Sequence, residues 1–378
     1  MTDTTAGSAT EPRRTALHDE HERLGASFTD FGGWDMPLKY GSELAEHRAV
    51  REAAGLFDLS HMGELRVRGP QAAEFLNTAL VGDLGRIAVG RAKYSLICAE
   101  DGGIIDDLIS YRLAEDEYLV VPNAGNAGVV AEEFAARAGG LDVEITDETA
   151  ATSLIAVQGP RSAEILSGLV PEEQRGLVAD MKYYAAAPAQ VAGLQVLLAR
   201  TGYTGEDGFE LYVPNAHAAE LWAALLAAGE PFGLIPAGLA ARDSLRLEAG
   251  MPLYGNELSR ETNPFEVGLG PIVSFAKPQD FVGREALERL KEAGPKRVLV
   301  GLVGTGRRAG RSGYPVLAGD QPIGVVTSGQ PSPTLGYPIA LASIAPEFAE
   351  PGTSVAVDLR GKSEPFEVVA TPFYRRAQ

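Results

Sequence analysis

The sequence predicts an α+β fold in which two duplicated units, each an antiparallel sheet covered by helices on one face, precede an all-β domain. Three observations carry this. VRGPQAAEFL at Val67 to Leu76 and VQGPRSAEIL at Val157 to Leu166 share Val, Gly, Pro, Ala, Glu and Leu at a spacing of 90 residues. Downstream, EYLVVPNA ending at Ala124 matches FELYVPNA ending at Ala216, and an Ala-rich amphipathic run follows each. Beyond Phe275, short β-rich runs separated by Gly and Pro replace the helical pattern.

At 378 residues the chain exceeds one hydrophobic core, so several domains are expected. Residues 1–15, rich in Thr, Ser and charge, read as a flexible tail without the apolar centre of a secretory signal. Residues 16–60 are expected to pack with 150–275 as one α+β domain, and residues 61–149 to form the second. Within each unit a helix starts after Gly-Pro, strands follow, and a strand ending in Val-Pro-Asn leads to another helix. Residues 276–378 begin with a charged helix near Val282 to Ala293. Gly294-Pro295 then leads to RVLVGLV, PIGVVTSG, SVAVDLR and EPFEVVATPFY, the runs of a compact barrel or sandwich.

Composition narrows the function classes. The net charge of −18 lacks the Lys and Arg clusters from which nucleic-acid binders draw their affinity. No apolar run reaches the length of a membrane span. Cys98, the single cysteine, sits in the apolar run YSLIC and reads as a buried thiol in a reducing compartment, the cytoplasm. His18, His21, His47, His61 and His217 form no metal-ligand spacing with Cys or carboxylates, so no metal is expected. GTGRRAG at Gly304 to Gly310 is not a dinucleotide fingerprint, and neither a Walker lysine motif nor a GxSxG elbow occurs.

Three runs can carry chemistry. In GGIIDDLISY, from Gly102 to Tyr111, strand alternation puts Asp107, Ile109 and Tyr111 on one face and Asp106, Leu108 and Ser110 on the other. One carboxylate is then inside if the other is solvated; the bland alternative is a turn-proximal pair held by backbone N–H groups. In RTGYTGEDGFELYV, Gly202, Gly205 and Gly208 mark tight turns or close backbone approach. The strand that follows sets Glu210 and Tyr212 opposite Phe209, Leu211 and Val213. AGLAARDSLRLEAG reads as a helix with Arg242 and Arg246 one turn apart, serving either a solvated face of ordinary ion pairs or a guanidinium fork for a carboxylate.

Together with DFGGWDMPLKY, GLFDLSHMGE, TNPFEVGL and SPTLG, these runs resemble, in order from about Thr15 to Arg375, the glycine-cleavage T-protein family of aminomethyltransferases. The resemblance implies a three-domain cloverleaf around a folate channel, with the first α+β domain binding folate and the last domain a small barrel. It implies transfer of a methylene carbon from the aminomethyl-lipoyl arm of H-protein to tetrahydrofolate, with release of ammonia. H-protein would be the direct partner, and the P-protein and L-protein would be fellow members of the system, with no metal, nucleic acid or membrane. By the same resemblance Asp107 is the essential carboxylate. Glu210 would bond the pterin, Arg242 and Arg375 would meet folate or its glutamate carboxylates, and Met62, Tyr94, Tyr111, Asn123 and Tyr203 would line the site.

Two departures from the family pattern are Pro122, which removes a backbone donor before Asn123, and Tyr337 in place of a common Lys. Two other readings remain open on this scaffold. One is a folate-dependent demethylase; the other is an accessory protein of iron–sulfur assembly, whose KGCYxGQE run is replaced here by RTGYTGEDGFE.

Overall fold

The computed structural model describes residues 11–376; Met1–Thr10, most of the expected tail, lie outside the described residues. The rest of that expected tail is pinned to the body. Arg13 exchanges backbone hydrogen bonds with Gly33 and Asp35, and the buried Thr15 hydroxyl donates to Asp58 at 2.7 Å.

In chain order, α1 (His18–Arg23), the hairpin β1 (Ser27–Phe31) and β2 (Trp34–Lys39), α2 (Glu43–Glu52) and β3 (Ala54–Asp58) come first. The first repeat runs β4 (Leu65–Arg68), α3 (Ala72–Ala79), β5 (Ala92–Cys98), β6 (Ile104–Ala114), β7 (Glu117–Pro122), α4 (Ala127–Arg137) and β8 (Glu144–Asp147). The second runs β9 (Thr152–Gln158), α5 (Ser162–Ser167), α6 (Arg175–Asp180), β10 (Ala186–Val191), β11 (Leu194–Ala199), β12 (Gly208–Pro214), α7 (Ala218–Gly229) and β13 (Leu234–Pro236). Then come α8 (Leu239–Glu248), α9 (Arg284–Ala293), β14 (Val298–Gly304), β15 (Pro315–Ala318), β16 (Gln321–Pro331), β17 (Pro338–Ile344), β18 (Ser354–Asp358) and β19 (Ser363–Val369).

The duplication is visible in the topology. One sheet has the order β5-β6-β7-β4-β8 and the other β10-β11-β12-β9-β3-β13, so the repeats correspond strand for strand in order except that β3 is inserted before the last. The Gly of each Gly-Pro turn is alike too. Gly69 and Gly159 have φ of 134° and 135°, and a Cβ on either would lie 2.5 Å from a backbone oxygen. Only glycine fits there, and the turn aims the following helix onto its sheet.

Helices cover the outer faces. Phe75, Leu76, Val130 and Phe134 from α3 and α4 pack on one sheet, and Leu166, Leu221, Trp222 and Leu225 from α5 and α7 on the other. The inner faces meet each other through Tyr111, Leu119, Val121, Leu154, Ala156 and Tyr212, with Leu245 of α8 at the same seam. Burial of these alternate positions is what the period-two pattern of the strands anticipates.

The last domain is a closed barrel of order β14-β17-β16-β15-β18-β19. The four runs read from the sequence are all strands in it, and β15 and β17 complete the ring. α8 docks on it through Leu247, Ile339 and Leu341. No helix among the described residues is long and apolar enough to cross a membrane. Cys98 is free and fully buried, and burial pushes its thiol up to about 12.

Candidate active site

A cavity of ≈ 260 Å³ opens where the inner faces of the two sheets separate, beside the start of α8. Asp107 and Ile109 of β6 and Asn123 after β7 line one side; Thr201, Gly202, Tyr203 and Glu210 line the other. His61 and Met62 enter from the crossover between the sheets, Arg242 from α8, and Phe31 from the first hairpin.

Strand alternation separates the two aspartates as expected. Asp107 faces the cavity, while Asp106 points toward the start of α4 and is fully buried. The inside member of the pair is Asp106, while Asp107 is only partly buried and opens onto the cavity. A register shift on β6, where Ile97 faces Asp106 and Cys98 faces Ile104, lies beside the pair. Such a shift re-aims side chains at a sheet's edge of function.

The carboxylate of Asp107 is held at both oxygens. Tyr94 Oη donates to Oδ2 at 2.8 Å and Asn123 Nδ2 to Oδ1 at 2.8 Å. Burial raises its pKa, and these two donors oppose the rise. Asp106 accepts from Asn123 N at 2.9 Å, from Asn123 Nδ2 at 2.9 Å and from Asn126 Nδ2 at 2.7 Å. The loss of a donor at Pro122 therefore costs Asn123 nothing. Its own N–H and amide supply the contacts, and Pro122 O still accepts from Gly63.

Burial, then the neighbouring charge of Asp107, pushes Asp106 up to about 7. This gives a stability prediction with a definite sign. Between about pH 4 and pH 7 the folded chain holds a proton that the unfolded chain releases. This contribution is complete at low pH and lost as pH rises through 7. Asp106→Asn does not titrate, so wild type should lose ground to the variant when urea midpoints measured at about pH 5 are repeated at about pH 8. A gap independent of pH would contradict the raised value.

Glu210 lies across the cavity on β12 and accepts from Thr201 Oγ1 and, at 3.3 Å, from Tyr111 Oη. Burial raises its pKa, opposed by the Thr201 bond and by Arg242. Tyr111 is fully buried behind this wall; its contact with the cavity is through Glu210. Gly202 and Gly208, flagged as close-approach positions, enclose the side chain of Gln158: a Cβ on either would lie within 2.3 Å of a terminal amide atom. The turn that presents Tyr203 and Glu210 needs glycine for this reason.

The two arginines of α8 divide between the readings left open. Arg246 is buried and structural, paired with Asp243 at 2.8 Å and Glu257 at 3.0 Å. Arg242 reaches the cavity with its Cζ 4.7 Å from the Tyr203 ring centroid, and no carboxylate among the described residues lies within ion-pair distance. Burial lowers its pKa. A charged fork facing a cavity without a counter-ion suits an anionic ligand.

Arg375 is not brought to this cavity: it is exposed, next to Tyr374, whose ring stacks on Arg51 and whose N–H donates to the Glu248 carbonyl. Met62, Tyr94, Asn123, Tyr203, Glu210 and Arg242 all line the cavity with Asp107. Sequence reasoning passed over His61, whose two ring nitrogens are buried without partners and whose ring meets Phe31 edge-on at 5.5 Å. Burial, then Arg242, drives its pKa down to about 3, so the imidazole is neutral. It also passed over a group near the amino terminus. His18, Asp19 and Glu22 have donor atoms within 4.8 Å of one another, although His18 Nε2 is engaged by Asp35 at 2.9 Å and both carboxylates of the group are exposed.

Fold and site define a class: a duplicated two-sheet enzyme body with a carboxylate cavity at its seam and a trailing barrel. Two family models describe these parts, the GCVT N-terminal domain over residues 17–277 and the glycine cleavage T-protein C-terminal barrel domain over residues 297–375. The aminomethyltransferase of Streptomyces coelicolor is 61% identical over 98% of this chain and 99% of its own length. That of Bacillus pumilus is 45% identical over 97% and 100%. The crystal structure of the glycine cleavage system aminomethyltransferase T from Bartonella henselae superposes with a TM-score of 0.88 at 38% identity, covering 96% of this chain and 98% of that one. The chain belongs to the glycine cleavage T-protein family.

Proposed function

We propose that this protein transfers the methylene carbon of an aminomethyl group, carried on the lipoyl arm of H-protein, to tetrahydrofolate, releasing ammonia and the reduced lipoyl arm. The observation that carries the reading is the orientation of Asp107: both oxygens are fixed by Tyr94 and Asn123 at the wall of a cavity that also holds an unpaired guanidinium. Breaking the carbon–sulfur bond develops an iminium-like cation. A carboxylate held by neutral donors in a low-dielectric cavity opposes that charge and orients the attacking amine without reorganising.

The cavity suits a flat pterin. Tyr94, Tyr203, Phe31 and Met62 offer ring faces and a thioether for stacking and close packing. Glu210 supplies acceptor oxygens for ring N–H groups, and Arg242 supplies the countercharge for an anionic portion of the folate. Asp107 is also placed to accept a proton as the new carbon–nitrogen bond forms. We place this activity in the cytoplasm, alongside the P-protein and L-protein, where the single buried Cys98 would stay a thiol.

The test supplies aminomethyl-loaded H-protein and tetrahydrofolate and follows ammonia and methylene-tetrahydrofolate. Absence of both products, with an authentic enzyme active in parallel, would defeat the proposal. For Arg242→Ala we expect folate affinity to fall by about tenfold or more, with partial recovery in Arg242→Lys because a point charge replaces the fork incompletely. Fluorescence titration of the folate measures it, and an unchanged dissociation constant in the Ala variant would remove Arg242 from the binding role.

A further inference from the structure

A second cavity, of ≈ 690 Å³, opens at the opposite ends of the same strands, where the start of β7 and the end of β6 face the start of β11 and the end of β12. It is separate from the first. Tyr212 lines it, and the Tyr212 hydroxyl reaches Tyr111 at 3.4 Å, which in turn reaches Glu210 on the first cavity.

Its chemistry differs as well. Three carboxyl side chains, Glu64, Glu117 and Glu148, line it with a single guanidinium, Arg66. That guanidinium is already committed, to Glu117 at 3.2 Å and to Glu148 at 2.9 Å. Glu64 sits on the crossover from β3 to β4, is fully buried, and has no hydrogen-bond partner at either oxygen. Its backbone N–H is satisfied by Thr149, so the chain conformation there is fixed while the carboxyl is not engaged. The remaining walls are apolar, Leu119 and Val196 among them.

We propose that this cavity binds a small primary alkylammonium ion, with the Glu64 carboxyl receiving the –NH3+ group and the walls between the sheets receiving the alkyl chain. An anion would meet three carboxyl groups and a guanidinium already neutralised. Glu117 is paired with Arg68 as well, at 3.0 Å, which leaves Glu64 as the lining carboxyl without a cation, and a neutral alcohol would hydrogen-bond it without supplying one. A hard metal ion requires several oxygens converging on one point, and among the described residues the group that converges in this way is His18, Asp19 and Glu22, which is elsewhere. An ammonium group brings three donors and one positive charge on an apolar stem, which matches the cavity in both respects.

Burial, then Asp147 and Glu148, holds the free Glu64 carboxyl well above the usual carboxylate range. Binding of R–NH3+ therefore gives an R–NH3+ to carboxylate pair and releases the carboxyl proton to solvent. The experiment is calorimetric titration of the full chain with n-butylammonium chloride at constant ionic strength, in two buffers of different ionisation enthalpy. Butan-1-ol and sodium butyrate serve as controls. We expect one saturable site, release of about one proton per ligand, no binding of butyrate, and binding of butan-1-ol weaker by about tenfold or more. Glu64→Gln should abolish the proton release and weaken butylammonium by about tenfold. Absence of saturable binding, equal binding of the alcohol, or unchanged binding by the variant would overturn the assignment. If Glu64→Gln fails to fold, the contrast between ammonium and alcohol on the wild type decides.

Discussion

Asp107→Asn is expected to reduce turnover by about three orders of magnitude or more while leaving folate affinity within about threefold. The amide preserves the shape of the carboxylate and can keep both fixed contacts. Its oxygen accepts from Asn123 Nδ2, and its NH2 donates to the Tyr94 hydroxyl, which can rotate to accept. What disappears is the negative charge opposite the developing cation, and with it the proton acceptor. The loss should therefore appear in kcat and in kcat/KM together, the signature of an interaction made in the transition state. Steady-state assays with aminomethyl-loaded H-protein, paired with equilibrium folate titration, separate the two. Wild-type turnover in the variant would remove Asp107 from the chemistry. Asp106→Asn should be much milder, because Asp106 does not face the cavity. Its effect is transmitted through Asn123, the donor the two carboxylates share, so a modest loss is expected rather than none.

The contrast between the two aspartates shows what the sequence makes legible. Period-two alternation assigned Asp107, Glu210 and Tyr212 to faces without any knowledge of neighbours, and the duplicated Gly-Pro and Val-Pro-Asn runs gave the order of elements. Alternation fixes a face but does not say what the face meets. Hence Tyr111, correctly placed with Asp107, ends in the seam behind Glu210, and Asp106, assigned to the other face, is buried against the donors of Asn123 and Asn126. Long-range closure hides the rest. β3 becomes an interior strand between β9 and β13 by reaching across about a hundred residues of chain, and His61 and Glu64 project into different cavities from the crossover this creates. A lone His in SHMG carries no local signal of such a position. Arg242 and Arg246 are indistinguishable by helical spacing alone, since what separates them is Glu257, supplied by a loop beyond the helix.

The same limit applies to Glu248, which helical spacing cannot distinguish from a solvated residue and which the fold turns into the joint between the enzyme body and the barrel. It is fully buried at the end of α8. One oxygen accepts from the Ser332 hydroxyl and from Thr334 N at 3.0 Å; the other accepts from Arg51 at 2.8 Å, from the Thr334 hydroxyl at 2.8 Å, and lies 3.2 Å from His47 Nε2. This is the physical content of the SPTLG run, which supplies both barrel hydroxyls. Burial pushes the carboxyl up, but the His47 contact and the Ser332 and Arg51 bonds outweigh it and pull the value to about 2. Glu248→Ala should therefore cost about 2–3 kcal/mol, since it removes the shared acceptor of the Ser332 and Thr334 hydroxyls from a dry interface and leaves a cavity, while Arg51 keeps its second carboxylate, Glu206, at 2.9 Å. A group with a depressed value contributes stability that is present above the unfolded value near 4.5 and is lost as pH falls through about 2. The difference between wild type and variant should accordingly be constant at neutral pH and shrink in acid. Urea unfolding at neutral and acid pH measures this, and hydrogen exchange across β16 and β17 reports whether the barrel loosens first. A loss below about 1 kcal/mol at neutral pH would show that the apolar contacts of Leu247, Ile339 and Leu341 hold the barrel without the carboxylate. The larger loss would show that the carboxylate itself ties the far end of α8, the helix that carries Arg242, to the barrel.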